Sequence, residues 1–243
     1  MKYAAIIAII LSSSFGLYTW MNNPESQMVA VTVRAGSKAE MALPDGTFVH
    51  LNAATNLEYD VNNSKQRLVK LSGEAFFDVA KNPDCPFKVI INDLQIEVVG
   101  TSFNVKTYKK DIVETSLLSG RIRISGGSLP HEYTLSPGQK ATYSAMDRTL
   151  RISKADAHVE AGWRDNYLIF ESTPLIDVIA QIERWYGVEI RLHHKQIAQD
   201  LLSGSFRNES IQNVIRSLSI QYGFKYEIHK DCLLYTSPSP RDS

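Results

Sequence analysis

The chain alternates from Val69 onward. Val69, Leu71, Gly73, Ala75, Phe77 and Val79 interleave with Lys70, Ser72, Glu74, Phe76 and Asp78. A period of two is the signature of a strand with one buried face. Phe87, Val89 and Ile91 repeat it, Asn92-Asp93 interrupts, and Leu94, Ile96 and Val98 resume, which predicts a hairpin. Shorter alternations run through Phe103 and Val105, then Val113, Thr115 and Leu117, then Ile122 and Ile124. Turn signals separate them: Pro44-Asp45-Gly46, Asn62-Asn63-Ser64, Ser119-Gly120, Gly126-Gly127-Ser128 and Pro137-Gly138-Gln139. From residue 28 to about 152 the predicted strands are short and no segment has a helical period. This region is expected to be an all-β sandwich, barrel or solenoid-like stack.

The period changes after Trp163. Thr173-Pro174 offers a cap and a first-turn proline, and Leu175, Val178, Ile179, Ile182 and Tyr186 recur at helical spacing. Gly187 is placed to end the helix, and Val188, Ile190 and Leu192 alternate as a strand. A shift of 36 residues reproduces this grammar. Phe170 falls on Phe206, Leu175 on Ile211, Val178-Ile179 on Val214-Ile215, Ile182 on Leu218, Tyr186-Gly187 on Tyr222-Gly223 and Ile190 on Tyr226. The expected order is β-α-β-β-α-β over about 65 residues, a tandem pair of units sharing one small sheet.

The start of the chain has a different pattern. Tyr3 to Met21 carries no charge, and nineteen residues at helical rise reach roughly 28 Å, close to a bilayer core. Trp20 and Tyr18 at one end suit the membrane interface, and Lys2 keeps the other end cytoplasmic. Residues 1–21 are therefore expected to be a transmembrane helix or signal anchor. A cleaved signal peptide, with Ala4 to Leu11 as apolar core and Ser12 and Ser14 near the cut, is the rival reading. Both export the remainder. Asn22 to Gln27 reads as a polar linker.

Composition then excludes several classes. The 243 residues hold 26 basic and 26 acidic side chains, and this zero balance argues against nucleic-acid binding. Lys2 with Glu25 and Arg241 with Asp242 cancel at the two ends, so the balance belongs to the folded part. Two cysteines, Cys85 and Cys232, make neither a disulfide framework nor a multi-cysteine zinc site. No catalytic signature is present. None of the six histidines lies in a helical zinc motif, and His193-His194 reads as a loop pair. Ser203-Gly204-Ser205 reads as a turn, not a nucleophile elbow. Glu74 and Asp78 share a strand face about 13 Å apart, too wide for paired-carboxylate chemistry, and are expected to face solvent. Cys85 lacks an identifiable base. No catalytic, cofactor or metal residue is assigned.

The motifs taken together resemble a known family. They are Leu43-Pro44-Asp45-Gly46-Thr47, Leu71-Ser72-Gly73-Glu74-Ala75-Phe76-Phe77-Asp78-Val79 and Pro86-Phe87-x-Val89. Val99-Gly100-Thr101-Ser102-Phe103-Asn104-Val105, Leu117-Leu118-Ser119-Gly120 and Leu135-Ser136-Pro137-Gly138-Gln139-Lys140-Ala141 follow. With Trp163, Leu168-Ile169-Phe170, Pro174-Leu175 and Arg184-Trp185-Tyr186, the set is similar to the periplasmic part of FecR-like anti-sigma factors of the Bacteroidetes type, over about residues 30 to 230.

The resemblance implies a single-span inner-membrane regulator. Its periplasmic part would take a signal from the N-terminal signalling domain of a TonB-dependent outer-membrane transporter for iron or glycan uptake. A cytoplasmic segment would hold an extracytoplasmic-function sigma factor. The β-α-β repeat is similar to the short N-terminal domain of secretins and TonB-dependent transporters. The expected division is a FecR-like β domain at 28–158 and the duplicated module at 159–231. No sigma-binding segment precedes Met1 here, so sigma binding is expected only through a segment outside this sequence. The last residues, CLLYTSPSPRDS, resemble translated adapter sequence, and 232–243 is expected to be a non-native tail. Partner contact is expected at exposed strand edges, Asn166, Leu168 and Phe170 with Leu201, Ser203, Ser205 and Phe206, by strand addition. An exported glycan-binding or scaffold protein is the alternative; a periplasmic hydrolase has no supporting spacing.

Overall fold

The structure, a computed structural model, describes residues 12–14, 17, 27–61, 67–192, 199–223 and 226–229. Most of the N-terminal apolar segment, Asn62-Asn63-Ser64, His193-His194, Cys232 and the tail lie outside the described residues. Among those described, no helix is long and apolar enough to cross a membrane.

The first strands are β1 (Met28–Val33), β2 (Ala39–Ala42), β3 (Phe48–Leu51), β4 (Thr55–Asp60), β5 (Arg67–Ser72), β6 (Glu74–Asp78) and β7 (Phe87–Ile91). β8 (Leu94–Val98), β9 (Ser102–Lys106), β10 (Ile112–Ser119), β11 (Ile122–Gly126), β12 (Tyr133–Leu135), β13 (Gln139–Ser144) and β14 (Thr149–Lys154) follow. They form two seven-stranded sheets, ordered β1-β4-β5-β7-β8-β11-β12 and β14-β13-β10-β9-β6-β3-β2. One apolar core fills the space between them, drawn from the inward residues of both, so the architecture is a β-sandwich. Phe77 is central, its ring 5.2 Å from Phe103 and 5.8 Å from Phe87. The hairpin expected at Asn92-Asp93 is β7–β8, with Asn92 at positive φ.

The long alternation from Val69 to Val79 is two strands, not one. The chain leaves the first sheet at Ser72 and enters the second at Glu74, turning at Gly73 with φ 116°. A Cβ there would lie 2.4 Å from Thr55 Oγ1, so only glycine permits the crossing. The Pro44-Asp45-Gly46 turn is pinned from inside. Asp45 accepts from the Thr47 amide at 3.0 Å and from buried Arg67 at 3.2 Å. Arg67 also donates to the carbonyls of Ala80, Asn82 and Cys85, so every nitrogen of its buried guanidinium is hydrogen-bonded.

A short helix α1 (Ala157–Ala161), capped by Asp156, and a 3-10 turn (Gly162–Asp165) lead into the second unit. That unit runs β15 (Tyr167–Pro174), α2 (Leu175–Tyr186), β16 (Glu189–Leu192), β17 (Leu201–Arg207), α3 (Ile211–Tyr222) and β18 (Tyr226–His229). The element order is the one the repeat predicts. The single shared sheet is not what forms. β15 pairs with β17 and β16 with β18, as two separate antiparallel ladders. Ile169 is in Cα register with Ser205 and Arg191 with Glu227, each pair 36 residues apart. Equivalent strands therefore pair about one pseudo-twofold axis, and the helices between them share a core of Leu175, Val178, Ile182, Val214 and Leu218. Thr173 does not cap α2: its hydroxyl donates to the Glu171 carbonyl, and Pro174 stands at the cap position. Gly187 and Gly223 end both helices in the left-handed conformation, as their spacing predicts.

Candidate functional site

The chemistry of the molecule gathers where the second unit meets the outer face of the second sheet. Cα register across that face places His50, Phe76, Asn104, Ser116 and Lys140 in one row. An outer row of a two-layer sandwich ordinarily faces water. Here Phe76 is 3% exposed, covered by Ala161 and Trp163.

Glu74 belongs to the same face and corrects the sequence expectation. It is buried, not solvent-facing, because Trp163 and α2 lie over the sheet at this point. Its two carboxylate oxygens accept from the side-chain amides of Asn52 at 2.8 Å and Asn104 at 3.0 Å. The Asn104 carbonyl oxygen in turn accepts from the Trp163 indole at 3.1 Å. A chain of hydrogen bonds thus runs from β6 through β9 into the 3-10 turn. Asp78, the other carboxylate of that strand, is exposed and accepts from Ser102 at 2.7 Å.

A second set of contacts grips the end of α2. The Gly36 amide donates to the Arg184 carbonyl at 2.8 Å. A Cβ on Gly36 would lie 3.2 Å from Gly187 N, and one on Gly187 would lie 3.0 Å from Ala35 O. Lys38 donates to the Trp163 carbonyl at 2.6 Å and to Asn166 Oδ1 at 3.0 Å, and lies 3.6 Å from the Trp185 ring centre. Burial lowers its ammonium to about 8, with the Glu74 charge acting in the opposite direction. Arg164 stacks on Phe76 at 3.6 Å and Arg184 on Tyr108 at 4.2 Å. Burial pushes the Tyr108 phenol well above its ordinary range; its hydroxyl donates to the Ala53 carbonyl. Ion pairs Lys109–Asp177 at 2.6 Å and Lys140–Glu160 at 2.8 Å span the same junction.

Between these contacts lies a cleft of about 550 Å³, walled by the sandwich on one side and by β15 and α2 on the other. Its lining is mixed in charge and partly aromatic, with Tyr108, Trp163 and Tyr167 among the walls. Among the described residues no group of three or more His, Cys, Asp or Glu could hold a metal ion.

The residues expected at partner-binding edges are placed as follows. Asn166 is left-handed and engaged by Lys38. Leu168 and Phe170 are buried in the module core, so their side chains are not presented outward. Leu168 faces Phe206 and Ile169 faces Ser205, so the two expected edges pair with each other along one side. Leu201 is 61% exposed. Ser203 Oγ accepts from the Ser172 amide at 2.9 Å, and its backbone N–H and carbonyl both meet the Tyr222 hydroxyl, which covers the edge at that point. The family-motif residues are structural in several ways. Phe77, Phe103 and Val105 are core. Gly100 and Gly120 abut Lys81 and Thr101, leaving no room for a Cβ. Gly138 N–H bonds the Leu117 carbonyl, and Gln139 Oε1 accepts from Ser136, so the Pro137-Gly138-Gln139 turn is tied to β10. The junction as a site was not read from the sequence; Phe76 at a position reserved for polar residues was the available signal.

Comparison with known proteins follows this division. The model of the FecR protein matches residues 29–123, and that of the FecR C-terminal part matches 167–235, four residues into the expected tail. No curated protein matches the sequence. A crystal structure of a candidate anti-sigma factor from Parabacteroides distasonis ATCC 8503 at 2.50 Å resolution is similar, with TM-score 0.76 and 29% identity over 85% of this chain and 100% of that one. A second, at 1.65 Å, gives 0.75 and 29% over 84% and 100%. The two FecR models together span more than half of the residues and fall on both units of the fold. The chain belongs to the FecR family, the FecR-like anti-sigma factors that its motifs resemble.

Proposed function

We propose that this chain is the periplasmic sensor part of a single-pass inner-membrane anti-sigma factor, relaying a signal from the signalling domain of a TonB-dependent outer-membrane transporter to an extracytoplasmic-function sigma factor. FecR membership, with the likeness to candidate anti-sigma factors, supports a role in sigma-factor regulation. The FecR type is membrane-associated with a periplasmic sensor portion, and the uncharged segment 3–21 is the natural anchor for it. The observation that carries the finer reading is the duplicated β-α-β module docked on the sandwich. It resembles the kind of module that the transporter itself carries, and two such small sheets can join edge to edge. In this reading 28–158 is the β domain and 159–231 the receiving module, and contact at the module's outer edges is passed to the sandwich through Trp163, Arg184 and Lys38.

The test is a pull-down with the transporter's signalling domain. Saturable capture is expected, reduced by proline substitution at Ile169 and Ser205; Ser205 lies two residues from Ser203, whose N–H turns away from β15, so these prolines remove donors of the outer edges. Capture unchanged by both substitutions would sink edge pairing; no capture at all would sink the relay. The glycan-binding alternative needs an open aromatic row; on this outer face Phe76 is covered by Trp163, while Phe48, beside His50, is exposed.

A further inference from the structure

We propose that the cleft between the sandwich and the module is a binding site for a small molecule bearing an oxyanion, a carboxylate or a phosphate, held between Arg184 of α2 and Lys106 of β9.

The cations around the cleft are not equivalent. Lys109 is paired with Asp177, and Lys140 with both Glu114 at 3.2 Å and Glu160. Lys38 is held by a carbonyl and an amide oxygen. Among the described residues, the Arg184 guanidinium and the Lys106 ammonium make no hydrogen bond or ion pair within the molecule. Both nevertheless line the cleft and the narrow recess at its base, and neither is freely exposed. Of the carboxylates whose charge reaches Arg184 or that sit in register with Lys106, Glu74 has each oxygen occupied by an amide of Asn52 or Asn104, Asp177 is paired with Lys109 and Glu114 with Lys140.

The Arg184 guanidinium lies over the Tyr108 ring, 4.2 Å from its centre, and a guanidinium held this way can still present its N–H fork to a planar acceptor. Burial lowers the guanidinium's proton affinity, and an added anion would offset that. Gln181, one turn earlier on the same helix face, lines the same recess, and its side-chain amide makes no hydrogen bond among the described residues. The volume, about 550 Å³, lies in the range of small-molecule sites, which favour junctions between units. Tyr167 and Ile169 supply a wall for the body of the ligand. Because Arg184 belongs to the module and Lys106 to the sandwich, a bound anion would tie the two units together. This inference is independent of the transporter relay, and its test uses the purified protein alone.

The probes are inorganic phosphate and succinate, each titrated against sodium chloride of equal ionic strength while the thermal midpoint is followed. A saturable rise is expected with at least one probe, because a ligand of the folded state raises the midpoint. Phosphate alone marks a phosphorylated ligand, succinate alone a carboxylate, and both an undiscriminating oxyanion site. Arg184→Gln and Lys106→Gln should each weaken the apparent affinity roughly tenfold or more, as loss of a charge-assisted hydrogen bond does. Lys110→Gln, outside the cleft lining, should leave it unchanged. If Arg184→Gln unfolds the protein, Lys106→Gln carries the comparison. No rise beyond sodium chloride with either probe, or a full rise in the folded variants, overturns the site.

Discussion

Glu74 is the residue on which the junction turns. Sequence periodicity assigned it to the outer face of a strand, and the face was right. What the period cannot see is a second unit covering that face, because burial of an outer row is decided by residues about 90 positions later. Phe76 and Asn104 sat in recognisable motifs for the same reason, without their roles being readable. Removing the Glu74 carboxylate leaves the side-chain amides of Asn52 and Asn104 without their acceptor. Glu74→Ala is expected to cost about 2–4 kcal/mol, and Glu74→Gln less, measured by urea unfolding. Lys38 and Tyr108 give the junction opposite responses to alkali. The folded Lys38 is lowered from 10.5 to about 8 by burial, so the unfolded chain binds more protons between those values. Its contribution opposes folding fully below about pH 8 and fades as pH rises toward 10.5. Tyr108 is raised by burial, so its contribution is complete below the ordinary phenol range and is lost as pH climbs beyond it. Urea midpoints from pH 7 to 11 should lose the first slope in Lys38→Met and the second in Tyr108→Phe; profiles parallel to wild type would refute both assignments.

Among the elements, the strands were the most legible, since their alternation reports burial directly. The break at Gly73 was not, because the same alternation continues on both sides of the turn while the chain changes sheets. The duplication was legible in its elements and misread in its pairing. A shift of 36 identifies equivalent strands but does not say whether a strand pairs within its own unit or with its twin. The module pairs twins, which lets the two helices pack on one core. The loop between β1 and β2 had no sequence signal as a contact, yet Gly36 meets Gly187 there with both residues at positive φ. Gly36→Ala and Gly187→Ala should each destabilise by about 1 kcal/mol or more, as alanine does at positive φ. Alanine at Gly138, where nothing lies within 4 Å of a Cβ, isolates the backbone cost from the contact cost. An equal loss at all three positions would argue against the close approach at the junction.

At the scale of the whole molecule, two hydrophobic cores are joined by a small cluster of Phe76, Ala161 and Trp163 and by polar contacts around a cleft. Interfaces of this kind between units favour relative motion over rigid fusion. Trp163 contributes both the buried ring and the hydrogen bond to Asn104. Trp163→Ala is therefore expected to cost about 3–5 kcal/mol at the junction and to expose residues 155–166 to protease before either core unfolds. Simultaneous loss of both cores in a single transition would contradict that order. The family was legible because its motifs are turns and crossings that the sandwich requires; the junction was not, because it is made by contacts between units.

The most direct measurement is a sigma-dependent reporter in cells that carry this chain joined to a sigma-binding segment of the family, read with and without the transporter's ligand, for wild type and for Asn104→Leu with Trp163→Phe. Those substitutions remove the hydrogen bond between the sandwich and the 3-10 turn, together with the Asn104 amide from which Glu74 accepts. If the junction carries the relay, the reporter's response to ligand is lost or becomes constitutive while the protein stays at wild-type abundance. A ligand response identical to wild type at equal abundance would contradict it.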